Sequence, residues 1–179
     1  MTMDLFSGQT GGEAEPIEEG PRVLVLVDGS SFVFRAYHAL PHMSNAAGLT
    51  TNALRGYLSM LLKTLDAYPS AYAAVVMDPV GTTFRHEMYD LYKAHRPPTP
   101  EDLKEQFPYI QPLTDAMGIP TVRVEGVEAD DVIATLARRG ARAGIQVVIA
   151  SGDKDLMQLI GDGVSMVDAM KDRTWDSAA

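Results

Sequence analysis

Residues 22–31 read RVLVLVDGSS and set the architecture of the chain. Arg22–Val27 is an unbroken run of valine and leucine after its first residue. Such a run is typical of a strand that is buried on both faces of a parallel sheet. The run stops at Asp28, so the sequence predicts a buried strand whose carboxyl end carries a carboxylate.

The same pattern of an apolar run followed by acidic residues occurs three more times. The runs are YAAVVM at 72–77, TVRV at 121–124 and IQVVIA at 145–150. Helical stretches separate the runs, so we expect parallel strands whose carboxyl ends share one edge of the sheet. The acids that end or follow the four runs are Asp28, Asp78, Glu128, Asp130, Asp131, Asp153 and Asp155.

The stretches between the runs predict the helices. Thr50 or Thr51 can cap a helix whose apolar face would hold five leucines. Residues 101–117 are helix-like, but Pro108 and Pro112 should kink or split them. We further expect a helix over 129–143 closed by Gly144, a short helix after Asp153, and a strand over 164–167. The five leucines are Leu54, Leu58, Leu61, Leu62 and Leu65.

Alternating strands and helices predict an α/β fold, with a mostly parallel central sheet and helices on both faces. Ligands bind outside the carboxyl ends of the strands in such sheets, and the acids lie at that edge. We expect one domain over residues 22–179. We expect a disordered acidic tail over residues 1–21, which are rich in Gly and Glu.

Composition limits the classes of function. The chain has no cysteine, which excludes disulfides, thiolate zinc sites and cysteine nucleophiles. No apolar run is long enough to cross a bilayer and the N-terminus does not resemble a signal peptide, so we expect a cytoplasmic protein without membrane partners. We expect a monomer.

Net charge does not decide whether the partner is a nucleic acid. The formal charge is −9, of which residues 1–21 contribute −5, leaving −4 for residues 22–179. Without the seven clustered carboxylates those residues carry +3, and two divalent cations would offset four of the seven negative charges. The placement of the charges must therefore decide.

Crowded carboxylates repel one another and shift each other's pKa values unless a cation neutralises them. A set of oxygen ligands without His or Cys suits Mg²⁺ or Mn²⁺ rather than zinc. Two such ions side by side are suited to hydrolysing phosphodiester bonds. The alternative is that each acid is only a turn residue or a helix cap, but four repeats of the pattern favour a metal site.

A second feature is the segment 83–98, which reads TFRHEMYDLYKAHRPP. On one helix, its cations and tyrosines would form a stripe that could follow phosphates and stack on unpaired bases. The alternative is a solvated helix whose tyrosines pack on the core. Arg35, seven residues after Asp28, could clamp a phosphate beside the acids. The stripe consists of Arg85, Tyr89, Tyr92, Lys93 and Arg96.

Other catalytic groups are not indicated. The four histidines have no paired ligand spacing and are interpreted as surface or partner-contact residues. Ser30 and Ser31 lack a His/Asp framework, and no Gly-rich phosphate loop is present, which argues against a serine nucleophile and an ATPase. The histidines are His38, His42, His86 and His95.

Four motifs together resemble the 5′-nuclease domain of bacterial DNA polymerase I, within the flap-endonuclease superfamily. They are VDGSSFVFRAYHALP at 27–41, TFRHEMYDLYKAHRPPTPEDL at 83–103, GVEADDVIATLA at 126–137 and SGDKDLMQL at 151–159. The resemblance covers roughly residues 22–178. It implies a PIN-like α/β domain with two Mg²⁺ ions, for which Mn²⁺ can substitute, cleaving 5′ flaps, single-stranded 5′ ends and RNA primers in replication and repair.

The resemblance also implies roles for individual residues. Asp28, Asp78, Glu128 and Asp130 are similar to the first-metal group, with Asp131 in support, and Asp153 and Asp155 are similar to part of the second-metal group. Basic and aromatic residues are similar to those that contact the scissile phosphate and line a helical gateway for a single strand. Catalytic roles fall to Arg35, Lys93 and Arg96, and nucleic-acid contacts to Arg35, Arg85, Tyr89, Tyr92, Lys93 and Arg96.

The chain departs from the resemblance near residue 179, where further metal-binding aspartates and a helix-hairpin-helix region would follow. We therefore expect an incomplete C-terminus and a second metal short of ligands. This leaves open a catalytically impaired domain that only binds DNA. A PIN-type ribonuclease is a third reading, since the core fold does not distinguish RNA from DNA.

Overall fold

A computed structural model describes residues 22–69, 72–161 and 163–177. The acidic tail expected over residues 1–21 lies outside the described residues. Within the described ranges, six strands form one sheet: β1 Val23–Asp28, β2 Tyr72–Val76, β3 Thr121–Val122, β4 Gln146–Ala150, β5 Val164–Asp168 and β6 Arg173–Trp175. Six α-helices and one 3₁₀ helix accompany it: α1 Gly29–Ala39, α2 Asn52–Asp66, α3 Phe84–Met88, α4 Glu101–Lys104, α5 Phe107–Ala116, α6 Ala129–Arg142 and the 3₁₀ helix Lys154–Leu159.

The strand order is β3-β2-β1-β4-β5-β6, and every neighbouring pair except β5 and β6 is parallel. The chain builds outward from β1 to β2 and β3, and then returns to place β4 on the other side of β1. The direction of winding therefore reverses between β1 and β4. Such a reversal opens a crevice at the carboxyl ends of the two strands, where ligands bind in open α/β sheets.

Alternate residues of the central strands face two separate cores, so the predicted covering of both sheet faces is confirmed. Val25 and Val27 of β1 pack with the side chains of α1, α2 and α5. Leu26, between them, packs with α6 and with Leu156 of the 3₁₀ helix. All three β1 side chains are fully buried, which explains why the sequence shows an unbroken apolar run instead of alternation.

The N-terminus of α2 is capped from a distant part of the chain. Thr51 occupies the N-cap position as expected, but its side chain makes no capping hydrogen bond. Instead, Oε1 of the fully buried Gln106 accepts hydrogen bonds from the backbone N–H groups of Ala53 (2.9 Å) and Leu54 (3.2 Å). Gln106 thereby accepts hydrogen bonds from two of the first N–H groups of α2, which have no acceptor within the helix.

The predicted leucine face of α2 is partly wrong. Leu61 is buried, but Leu62 is 46% exposed. The core-facing positions also include smaller and mixed residues, which a search for leucines does not find. They are Asn52, Ala53, Gly56, Tyr57, Met60 and Thr64.

The helix predicted over 101–117 is split, as its prolines indicate. The split lies between α4 and α5, and Pro108 falls in the first turn of α5, where a missing N–H is tolerated. Pro112 lies inside α5. The helix predicted over 129–143 is confirmed as α6, with Gly144 after it in the left-handed region at φ 73°.

Candidate active site

Asp28 lies at the junction of β1 and α1 and is 4% exposed. Its Oδ1 accepts a hydrogen bond from the Ser31 N–H at 2.9 Å, which caps α1, and its Oδ2 accepts one from Ser151 Oγ at 2.7 Å. Burial, helped by the charges of Asp78 and Asp153, outweighs the two hydrogen bonds and raises the pKa of Asp28 from 3.8 to about 6. Asp28 is therefore poorly stabilised as an anion by the protein alone.

Asp130 lies in the first turn of α6 and shares this environment. Burial raises the pKa of Asp130 from 3.8 to about 6, and the next causes are the charges of Asp28, Asp153 and Asp78. The four carboxylates therefore act on one another electrostatically across the ends of β1, β2 and β4. We call this set the acidic cluster: Asp28, Asp78, Asp130 and Asp153.

Two buried serines hold the cluster together. Ser30 Oγ accepts a hydrogen bond from the Asp78 N–H at 2.9 Å. Ser151 Oγ accepts one from the Asp153 N–H at 3.0 Å while it donates to Asp28. Both hydroxyl groups thus join strand ends. That Ser30 is not a nucleophile stays a prediction. The role of Ser151 was not predicted.

Asp78 is tied to α6 as well. Its Oδ1 accepts a hydrogen bond from the Ala129 N–H at 2.9 Å, and its backbone oxygen accepts one from Nε of Arg123 at 3.0 Å. The carboxylate therefore occupies the position of an anion at the N-terminus of a helix. This contact brings the end of β2 next to Asp130.

The chemistry of the acidic cluster fits a divalent cation that prefers oxygen ligands. Burial, and after it mutual repulsion, raises the pKa values of Asp28 and Asp130 to about 6, and a bound cation would offset both effects. Within residues 22–69, 72–161 and 163–177, however, no three Asp, Glu or His side chains close into a metal-binding set. The four carboxylates thus lie near enough to repel one another, but no three of them are arranged as ligands of one ion.

Glu128 and Asp131 do not join the acidic cluster but pair with cations. Glu128 accepts hydrogen bonds from Lys93 Nζ at 2.7 Å and from Tyr92 Oη at 2.8 Å. Burial would raise the pKa of Glu128, but these two bonds and the charges of Lys93 and Arg85 together lower it. Asp131 forms a two-pronged ion pair with Arg85, and this hydrogen bonding lowers its pKa. Their predicted metal roles remain predictions.

The prediction that one helix carries the stripe of cations and tyrosines is wrong. Helix α3 ends at Met88, because Tyr89 adopts an extended conformation at φ −153° and ψ 105°. Lys93 has a left-handed backbone at φ 57°, which no helix accommodates. Turns replace the helix, so Tyr92 and Lys93 reach Glu128 while Tyr89 and Arg96 are exposed.

Arg35 was predicted to lie beside the acids. The structure pairs it with Asp168, which was not among the predicted site residues. Nη2 of Arg35 donates to Asp168 at 2.8 Å (Oδ1) and 3.0 Å (Oδ2). Asp168 ends β5 in the way that Asp28 ends β1, so the same rule of strand and acid could have found it. Asp155 is exposed, and its N–H bonds to Asp153 Oδ1 at 2.9 Å.

The histidines stay close to the interpretation made from sequence. Nδ1 of His86 accepts a hydrogen bond from the Thr83 N–H at 3.1 Å and forms part of a capping box for α3. Nε2 of His42 lies 3.8 Å from Oδ2 of Asp102, which is not a member of the acidic cluster. His38 and His95 are exposed.

Among the helices of the described residues, none has the length and apolar character needed to cross a membrane.

Comparison with known proteins identifies the family. The family described as the 5′-3′ exonuclease, N-terminal resolvase-like domain, matches residues 23–179. The chain belongs to this family. It is 49% identical over 147 residues to DNA polymerase I of Pseudomonas aeruginosa, a match that covers 82% of the chain and 16% of the polymerase. It is 41% identical over 154 residues to a 5′-3′ exonuclease of Aquifex aeolicus, covering 86% of the chain and 53% of the relative.

Solved structures agree with the PIN-like fold expected from the sequence. T5 5′-exonuclease with bound divalent metal ions (zinc) superimposes with a TM-score of 0.67 at 27% identity, over 87% of this chain and 58% of the other. The T5 D15 flap endonuclease in a pseudo-enzyme-product complex with DNA and metal ions gives 0.65 at 26% identity, over the same shares. The chain therefore spans little more than half of these proteins and about a sixth of the polymerase.

Proposed function

We propose that this chain is the catalytic part of a metal-dependent 5′-3′ nuclease that hydrolyses phosphodiester bonds in DNA with a 5′ flap or a single-stranded 5′ end. The observation that carries the proposal is the acidic cluster at the reversal point of the sheet, where Asp28 and Asp130 both have a pKa of about 6. The family match and the T5 nuclease with DNA and metal ions support the same activity.

Two Mg²⁺ ions are the proposed cofactors, with Mn²⁺ as a substitute. Asp28, Asp78 and Asp130 of the acidic cluster would hold the first ion, and Glu128 would join them after leaving Lys93 and Tyr92. Asp153, with Asp155 beside it, would contribute to the second. When bound, the ions would supply positive charge next to the phosphate and lower the pKa of a coordinated water.

The cationic residues near Glu128 are proposed to bind the phosphate backbone. Lys93 Nζ and Arg85 lie at the edge of the site and are partly exposed, so both can reach a substrate. Burial lowers the pKa of Lys93, but the hydrogen bond and the charge of Glu128 outweigh burial and raise it. The charge of Arg96 opposes this rise, so Arg96 lies near Lys93. The exposed ring of Tyr89 offers a stacking face to an unpaired base. Arg35 is proposed to contact the scissile phosphate.

Cleavage of a labelled 5′-flap DNA tests the proposal. We expect products only with Mg²⁺ or Mn²⁺, and none in EDTA. Asp130→Asn should reduce the single-turnover rate at least a hundredfold, since it removes a ligand charge from the cluster. Asp115→Asn is the matched control, because Asp115 is an exposed carboxylate on α5. Absence of cleavage by the wild-type chain with either ion would refute the proposal.

A DNA-binding domain without hydrolysis is the second candidate. Two observations favour it: Glu128 is held by Lys93 and Tyr92, and no three carboxylates or histidines of the described residues form a finished metal set. This candidate expects salt-dependent binding of single-stranded DNA that survives Asp78→Ala and is lost on neutral replacement of Lys93 and Arg96. Comparing matched DNA and RNA flaps would show whether RNA primers are also substrates.

A further inference from the structure

Arg35 stands on α1, two turns after Asp28, and points across to the ends of β4 and β5. Its Nη2 bonds to both carboxylate oxygens of Asp168, which is 2% exposed. Oδ1 of Asp168 also accepts hydrogen bonds from the N–H groups of Met170 (3.0 Å) and Lys171 (3.2 Å). The carboxylate is therefore fixed by the backbone of its own turn, and it fixes one end of the guanidinium.

Gly152 forms the other wall around Arg35. A Cβ atom at position 152 would overlap Nη1 and the guanidinium carbon of Arg35, and it would lie 3.0 Å from Nε. The φ angle of Gly152 is not positive, so its backbone conformation does not require glycine. Glycine is needed at this position because a side chain would collide with Arg35. Within the described residues, Nη1 is buried and has no hydrogen-bond partner, so close packing holds it in place.

The chain connects this arrangement to the acidic cluster. Gly152 is flanked by Ser151, which bonds to Asp28, and by Asp153, a member of the cluster. A shift of the guanidinium away from Gly152 would move it relative to both. A misplacement of a catalytic group by about 1 Å can lower the rate about a hundredfold. The residues that fix the position of the Arg35 guanidinium should therefore affect cleavage strongly.

We infer that Gly152 and Asp168 are positioning residues that together form a seat for the Arg35 guanidinium next to the acidic cluster. This inference rests on the proposed function for its consequence in cleavage, but the seat itself can be tested without activity. Asp168 supplies the charge that anchors Nη2, and Gly152 supplies the space that Nη1 and Nε occupy. Neither residue touches the substrate phosphate in this scheme.

A double-mutant cycle on cleavage tests the seat. Gly152→Ala should lower the single-turnover cleavage rate of 5′-flap DNA about a hundredfold when Arg35 is present. In an Arg35→Ala background, the same change should lower the rate less than threefold, because the displaced group is gone. An equal loss in both backgrounds would overturn the inference, since it would mean that Gly152→Ala acts through Asp153 or the fold.

Stability and spectroscopy test the seat independently of the proposed function. Gly152→Ala should lower the Tm when Arg35 is present and leave it unchanged with Arg35→Ala, a result that holds even if the wild-type chain cleaves nothing. Asp168→Asn should shift the Arg35 Nε–H resonance in ¹H–¹⁵N spectra. Asp172→Asn, an exposed aspartate in the following turn, should not. A resonance unmoved by Asp168→Asn would contradict the seat.

Discussion

Replacing Asp28 by asparagine should stabilise the metal-free chain at neutral and alkaline pH. The folded-state pKa of Asp28 is about 6, against an ordinary value of 3.8. The folded chain therefore binds the proton more tightly than the unfolded chain, and stability falls as the pH rises from about 4 to above 6. Each pH unit between the two pKa values is worth about 1.4 kcal/mol, so the charged Asp28 costs about 3 kcal/mol at pH 8.

The substitution keeps most of the local structure. Asparagine caps helices about as well as aspartate, so the bond from the Ser31 N–H survives. The bond from Ser151 Oγ to Oδ2 is lost or reversed, at a cost of about 1 kcal/mol. The net expectation at pH 8 is a gain of about 2 kcal/mol, or about 4–8 °C in Tm for a chain of this size.

Thermal unfolding of wild type and Asp28→Asn in EDTA, followed by circular dichroism at several pH values, measures this effect. The gain should shrink below about 1 kcal/mol at pH 5, because folded wild type is then largely protonated. Asp115→Asn, an exposed carboxylate, should change stability by less than about 0.5 kcal/mol at either pH. Loss of stability in Asp28→Asn at pH 8, or a gain that does not depend on pH, would show that the charged Asp28 does not destabilise the fold.

Three further predictions concern the metal, the helix cap and the first turn of α1. Divalent-cation affinity measured by calorimetry should rise about ten- to a hundredfold from pH 5 to pH 7.5, because protons compete at Asp28 and Asp130; equal affinities would contradict it. Gln106→Leu should destabilise the chain by about 3 kcal/mol in urea unfolding, since two buried N–H groups lose their acceptor, whereas the exposed Gln111→Leu should not. Gly29→Ala should lower stability by about 1–3 kcal/mol, because its Cβ would meet Met77 Sδ and lie 2.6 Å from Val75 Cγ1; an unchanged Tm would disprove this packing.

Local patterns were enough to predict the sheet and the meeting of four acids. The apolar run before Asp28 and the run at 145–150 each mark a buried strand, and parallel strands bring their carboxyl ends together. The family assignment made from the four motifs is confirmed by the match over residues 23–179. Strand β6 was missed because Arg173–Trp175 is short and mostly exposed, so its sequence lacks the apolar pattern of a buried strand.

Long-range contacts account for what the sequence could not show. Gln106 caps α2 from more than fifty residues away, and Asp168 holds Arg35 from 133 residues away. The helix expected through Lys93 fails because a tertiary bond to Glu128 accompanies a left-handed backbone at that residue. The spacing of residues along the chain does not indicate such contacts. The sequence therefore grouped Glu128 with the metal ligands and gave no sign of its ion pairs with Lys93 and Arg85.

Anomalous diffraction from crystals grown with Mn²⁺ would show where this chain binds a divalent cation. We expect a manganese peak at the carboxyl ends of β1, β2 and β4, within bonding distance of oxygens from at least two members of the acidic cluster. Asp130→Asn should weaken or remove that peak. A peak elsewhere in the chain, or none at saturating Mn²⁺ above pH 7, would mean that the acidic cluster is not the metal site.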